Sequence, residues 1–266
     1  MDSIEQKIEN IKRSGGYREL RYIGSAQGSS AVIDGRKVLM LSSNNYLGLC
    51  NDDRLKEAAI EAVKSYGVGS GGSRLTTGSM TLHRELEERI AGFKKRESAV
   101  VYNTGYMANL GTISGLTDES WTVFSDRLNH ASIVDGCRLS KAKFVVYKHC
   151  DTDDLEKKLK CYKGKNNLVV TDGVFSMDGN IAPLKEILRI AKGHGAMTMV
   201  DDAHATGVIG ENGRGTEEHL GLEGEVDIQM GTLSKALGGE GGFIASRKEV
   251  VEYLSLIHIS EPTRPY

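Results

Sequence analysis

Residues 167–207 read NLVVTDGVFSMDGNIAPLKEILRIAKGHGAMTMVDDAHATG. An apolar run at 167–171 meets a glycine-punctuated turn, an amphipathic stretch at 184–192 and a second apolar run at 196–200. Both apolar runs are nearly continuous rather than alternating, as in strands covered on both faces. The unit therefore reads as strand, helix, strand. The same cadence extends outward in both directions. Further strands are expected at 98–102 (SAVVY), 121–125 (WTVFS), 143–147 (KFVVY), 226–230 (VDIQM) and 242–246 (GFIAS). Helical patterns fall at 54–66, 81–93, 107–116, 131–139 and 152–161, the last with Thr152 as its expected N-cap. Such alternation predicts an α/β fold with a mainly parallel sheet and helices on both faces. In these sheets ligands bind beyond the carboxyl ends of the strands, so the residues that follow each strand are the ones to read for chemistry.

The flanking sequence sets the limits of the domain. Upstream, SSAVIDGRKVLML (29–41) reads as a hairpin turning at Asp34-Gly35, and residues 1–50 are expected to form an N-terminal arm with a small sheet. The chain has 266 residues, ample for a buried core, and a formal net charge of −2 that gives no electrostatic case for nucleic acid or an anionic membrane. No stretch is long enough to span a membrane, and the charged start lacks the apolar centre of a signal peptide. Cys50, Cys137, Cys150 and Cys161 are widely spaced, which fits a reducing cytoplasm better than a disulfide framework or a zinc site.

The residues that follow the strands carry polar chemistry. After 98–102 comes NTGYMANLG, where Gly105 and Tyr106 open a helix whose free amides form a ready phosphate cradle. After 121–125 comes DRLNHASI with His130, a ring that is structural by default but is placed to stack on a planar ligand. After 167–171 comes Ser176, and after 196–200 come Asp201 and His204. Alone, that Asp-x-x-His fits a helix cap, a metal ligand or a ligand anchor, and no third histidine or carboxylate stands near it at metal-ligand spacing. GVGSGGSRLTTGS (67–79) holds a Gly-x-Gly-x-x-Gly but follows no expected strand, so it reads as a tight loop rather than a dinucleotide site. Finally GTLSKALGGEGG (231–242) sets Lys235 after Thr232 and Ser234 and before a run of glycines. A lone lysine is ordinarily solvated. Here it joins a phosphate cradle, a flat ring, hydroxyls and an acid on one rim. Pyridoxal phosphate needs this set: a lysine for its aldehyde, an acid for its ring nitrogen, and amides and hydroxyls for its phosphate. On this reading the glycines leave the lysine room to move.

The motifs SSNNYLGL, GSGGSRLTTG, LNHASIVDG, TDGVFSMDG, MVDDAHATGVIGENGRG and GTLSKALGG resemble, in content and order, those of the α-oxoamine synthases, fold-type I pyridoxal-phosphate enzymes. The match runs from about residue 16 to residue 253. The resemblance implies that Lys235 forms the Schiff base, Asp201 partners the pyridinium, His204 contacts the phenolic oxygen and His130 stacks on the ring. It implies phosphate contacts from Gly105, Tyr106 and Thr232, and substrate contacts from Asn44, Ser176 and one of Arg18 and Arg21. The implied reaction is decarboxylative condensation of a small amino acid, alanine or glycine, with an acyl-CoA or other acyl thioester in a homodimer. NTGYMANLG resembles the alanine-using branch and lacks the Cys-Phe-Asp-Ala-Asn turn of the glycine-using acetyltransferases. Rival readings are another fold-type I aminotransferase and an inactive binding scaffold.

The same resemblance divides the chain into an arm (1–50), a cofactor-binding large domain (51–253) and a tail (254–266) foreign to the family. LSLIHISEPTRPY departs from the helical period of SRKEVVEYL, and two of the chain's 3 prolines fall in its last five residues. The expectation is a fragment lacking the family's C-terminal small domain and inactive by itself, with a tail that resembles a translated sequencing adapter.

Overall fold

The computed structural model describes residues 3–162 and 166–257. The chain packs as two units that divide between Ser43 and Asn44. The first holds α1 (Ile4–Arg13) and a hairpin of β1 (Ser30–Ile33) and β2 (Arg36–Leu39). The hairpin turns through Asp34 and Gly35, with φ of 51° and 75°. Two consecutive positive φ values make the tight turn whose twist matches antiparallel strands, and Asp-Gly tolerates it.

The second unit contains α2 (Asp53–Tyr66), α3 (Thr81–Phe93), β3 (Ser98–Tyr102), α4 (Gly105–Leu116), β4 (Trp121–Asp126), α5 (Ala131–Leu139), β5 (Lys143–Tyr147) and α6 (Thr152–Cys161). It continues with β6 (Asn166–Asp172), α7 (Leu184–Gly193), β7 (Met197–Asp201), α8 (Thr216–His219), β8 (Ile228–Thr232), β9 (Gly242–Ser246) and α9 (Lys248–Ile257). Its seven strands form one sheet in the order β3-β9-β8-β7-β6-β4-β5. β9 runs antiparallel to both neighbours, and the other neighbouring pairs are parallel.

Alternate strand residues enter opposite layers. Val123, Leu168, Val170, Met199 and Ile244 pack with Ala108, Ile113, Ile133 and Val251 from α4, α5 and α9. Their neighbours Phe124 and Val169 pack with Leu155, Leu159, Ile187 and Ile190 from α6 and α7, and Phe243 packs with Ile90 of α3. Helices therefore cover both faces, which explains the continuous apolar runs. β5 is the exception: as an edge strand it leaves Val146 39% exposed.

Two local expectations are corrected. The N-cap of α6 is Asp151, whose carboxylate accepts from the Asp154 amide, so Thr152 is the first helical residue. An ionised cap also suits the positive end of the helix dipole better than a hydroxyl. The helical period also continues past Tyr253: α9 runs to Ile257, and Leu254 is fully buried beside Val250 and Val251. The rest of the expected foreign tail, 258–266, lies outside the described residues. No described helix is long and apolar enough to cross a membrane.

Candidate active site

The carboxyl ends of the parallel strands open on a cavity of about 180 Å³. Gly105, Tyr106, His130, Ser176, Asp201, His204, Thr232 and Lys235 all line it, with Asn109, Ser132, Asp172 and Ser234. Asp201 and Thr232 are the last residues of β7 and β8 rather than loop residues, so the sheet itself fixes their backbones.

Asp201 is buried, and its oxygens accept from Asn109 Nδ2 at 2.7 Å and the Ala203 amide at 2.9 Å. Asn109, on α4, spends its other amide proton on Ser132 Oγ at 2.8 Å. Ser132 Oγ lies 2.7 Å from His130 Nδ1, which caps α5. When the serine hydroxyl donates, His130 carries its proton on Nε2, and one asparagine ties the acid and the ring into a single network. Asn109 and Ser132 carried no mark in the sequence beyond lying inside quoted motifs.

Lys235 Nζ lies 3.0 Å from His204 Nε2, and Tyr46 OH lies 2.8 Å from His204 Nδ1. The Tyr46 hydroxyl donates to Asn44 Oδ1 at 3.2 Å. Every group is satisfied when Lys235 donates to Nε2, Nδ1–H donates to the Tyr46 oxygen and Tyr46 donates to Asn44. Such a histidine is neutral. Burial first, then the charges of Lys235 and His130, push its pKa down to about 4. Burial also lowers the Lys235 amine, against the upward pull of Asp201 and Asp172.

The α4 end of the cavity is an anion cradle. The Gly105 and Tyr106 amides have no intrahelical acceptor, while the Met107 amide donates to the Thr104 hydroxyl at 3.0 Å. Thr232 Oγ1 and Ser234 Oγ line the same end, 2.8 Å from each other, with Thr232 donating to the Gly241 carbonyl. A Cβ on Gly105 would come within 3.0 Å of Met230 Cε and 3.3 Å of Thr232 Oγ1. The glycines after Lys235 have a different task from the one expected. A Cβ on Gly242 would lie 2.6 Å from Gly105 Cα, and one on Gly238 would lie 2.6 Å from the Leu49–Cys50 backbone. They permit close backbone packing rather than clearing space around the amine.

Asn44 does not line the cavity and reaches it only through Tyr46 and His204. Arg18 and Arg21 are exposed residues of the N-terminal unit. The Tyr106 side chain turns to Asp135, donating to Oδ2 at 2.7 Å, which leaves its amide as its link to the cradle. Asp202, next to Asp201, faces away: it holds Lys94 at 3.2 Å and the Thr216 hydroxyl at 2.6 Å in a fully buried clamp.

The donor set fits pyridoxal 5′-phosphate: an anion cradle, an acid backed by two donors, a ring at the rim, and a lysine whose amine faces a neutral imidazole. A parallel-dominated sheet carrying this set defines the fold-type I pyridoxal-phosphate enzymes. The chain belongs to the aminotransferase class I and II family, whose profile it matches over residues 36–259. It is 60% identical over 254 residues to a putative 8-amino-7-oxononanoate synthase of Acetivibrio thermocellus, covering 96% of this chain and 66% of the relative. It is 51% identical over 257 residues to 8-amino-7-oxononanoate synthase of Thermoanaerobacter pseudethanolicus, covering 96% and 65%. Among solved structures it resembles a serine palmitoyltransferase variant from S. paucimobilis with bound PLP-myriocin aldimine. There the TM-score is 0.91 at 38% identity, covering 99% of this chain and 68% of the other. These relatives bear the names of α-oxoamine synthases, the family its motifs resemble. The chain spans 65–66% of the length of the two synthases.

Proposed function

We propose that this chain is the cofactor-binding part of an α-oxoamine synthase that condenses alanine with a pimeloyl thioester to 8-amino-7-oxononanoate, a step of biotin biosynthesis. The observation that carries the reaction class is the Lys235–His204 pair at 3.0 Å, with Asp201 lining the same cavity. The choice of alanine and a pimeloyl thioester rests on the names of the 60% and 51% identical relatives.

Bound pyridoxal 5′-phosphate supplies an electron sink for the charge left when a proton leaves the substrate α-carbon. Asp201 keeps the ring nitrogen protonated, with Asn109 and Ala203 holding the carboxylate in place. His130, its orientation fixed by Ser132, would cover the ring face. The Gly105 and Tyr106 amides would take the phosphate with the Ser234 hydroxyl, and Thr232 would join them by turning its hydroxyl from the Gly241 carbonyl to which it donates. The Lys235 amine would hold the cofactor through its aldehyde and, as a free amine, would take the proton from the substrate α-carbon. Neutral His204 accepts from Lys235 and donates toward Tyr46, so it adds no second positive charge beside the amine. Ser176 lines the same cavity and would orient the amino-acid carboxylate, while Asn44 acts through Tyr46 on His204.

The test is release of CoA with alanine plus pimeloyl-CoA against glycine plus acetyl-CoA, the pair used by a glycine C-acetyltransferase. It is run on this chain extended by the segments of the A. thermocellus relative that it does not span. Faster turnover of alanine with pimeloyl-CoA supports the assignment. A preference for glycine with acetyl-CoA would move the protein to the other branch, and release of an α-amino acid would make it an aminotransferase.

A further inference from the structure

We propose that Asp172 is a further residue of the site, a neutral carboxylic acid that lines the cavity and donates a hydrogen bond to the bound ligand. Nothing in the sequence separated it from the rest of TDGVFSMDG, but the fold does. Asp172 and Asp201 are register partners at the carboxyl ends of adjacent parallel strands β6 and β7. Both are 5% exposed and both line the cavity. Two carboxylates this close and this dry repel each other when both are ionised, so their surroundings decide which one keeps the charge.

The surroundings are unequal. Asp201 receives the Asn109 amide and the Ala203 N–H. Among the described residues Asp172 Oδ1 is buried with no hydrogen-bond partner. An ionised oxygen in that position would be desolvated without compensation, which is costly. Protonated, it becomes a donor in a residue that lines the cavity.

The titratable groups facing Asp172 agree with this. Burial, then the charge of Asp201, then Asp126, push its carboxyl well above the usual carboxylate range, while a backbone hydrogen bond from His130 and the charge of Lys235 pull the other way. The neutrality has a consequence for Lys235. Ionised Asp172 would join Asp201 in holding the ammonium protonated. A neutral Asp172 withdraws that pull and leaves burial to favour the free amine. This consequence, and the ligand's identity, rest on the pyridoxal-phosphate reading of the cavity; the protonation of Asp172 does not.

The test is carbon NMR of the chain labelled at its aspartate carboxyls, without and with pyridoxal 5′-phosphate. In the cofactor-free chain at pH 7, the resonance lost in Asp172→Asn should have the shift of a protonated acid. Its midpoint should fall in Asp201→Asn, because the repelling charge is gone. A resonance that titrates as an ordinary carboxylate with Asp201 present or absent would overturn the proposal. The wild-type infrared spectrum needs no variant: a protonated-carboxyl band at pH 7 supports the proposal, and its absence overturns it. For the ligand contact, Asp172→Asn should bind pyridoxal 5′-phosphate within about twofold of wild type, since its amide still donates. Asp172→Leu should bind about tenfold more weakly, the worth of one hydrogen bond. Equal binding by all three would overturn the donor role. A wild-type chain that takes up no pyridoxal 5′-phosphate would sink the cofactor reading, while the cofactor-free titration still decides the acid.

Discussion

Asp201 and Asp202 are identical neighbours in sequence with opposite tasks. Asp201 faces the cavity, and Asp202 faces a fully buried lysine, their side chains 1% and 0% exposed for Asp202 and Lys94. The sequence marked Asp201 by its place after an apolar run, but the partner of Asp202 lies 108 residues away and left no local signal. Lys94→Met would strand Asp202 and is predicted to cost about 3–5 kcal/mol in urea unfolding, as for other broken buried pairs. Asp201→Asn keeps one of the two accepted hydrogen bonds and sets its amide N–H against the other donor, and it should bind pyridoxal 5′-phosphate poorly. His204 gives a pH signature. Its folded pKa of about 4 lies below the ordinary 6.5, so its contribution to stability is complete above about 6.5 and is lost as pH falls toward 4. Solvent reaches part of the ring, so screening reduces the effect. Urea midpoints from pH 7 to pH 4 should therefore fall less steeply in His204→Gln than in wild type. Identical slopes would mean that the imidazole titrates normally. Lys235, His130, Asp201 and His204 were legible because each lies near an apolar run in a motif to which the family resemblance gives a role. Asn109, Ser132, Tyr46 and Asp172 were not, because their importance comes from what other segments bring to them.

At the scale of elements, the reading of strands at 98–102, 143–147 and 242–246 coincides with the observed ones. Strongly apolar runs bounded by glycine and polar turns leave little choice of state. Errors fell at ends, where capping and packing decide. Asp151 took the cap from Thr152, and α9 ran on through Leu254 because that side chain is drawn into the core beside Val250. Leu254→Ala should therefore cost roughly 2–5 kcal/mol by thermal or urea unfolding, as for other fully buried leucines. A cost near zero would mean that the last turn of α9 is not packed. The start of α4 carries a separate prediction. In Gly105→Ala the new methyl group presses on Met230 and Thr232, so affinity for pyridoxal 5′-phosphate should fall about tenfold or more while inorganic phosphate still competes for the cradle. Unchanged affinity would place the phosphate elsewhere.

At the scale of the whole molecule, strand–helix alternation predicted the architecture but not the strand order. Nothing local shows that β9 inserts antiparallel between β3 and β8, yet that insertion sets Gly242 against Gly105 and closes the back of the cradle. We further propose that the protein works as a homodimer, on the resemblance to the α-oxoamine synthases. Sedimentation should show a dimer in the chain extended as above, and a stable, active monomer would refute it. Lys235 is the residue proposed to take pyridoxal 5′-phosphate. The most direct test of that role is to incubate the chain with the cofactor, reduce with borohydride and map the modified peptide by mass spectrometry. A phosphopyridoxyl group is expected on Lys235 alone, and none in Lys235→Ala. Labelling scattered over surface lysines, or unchanged labelling in that variant, would contradict it.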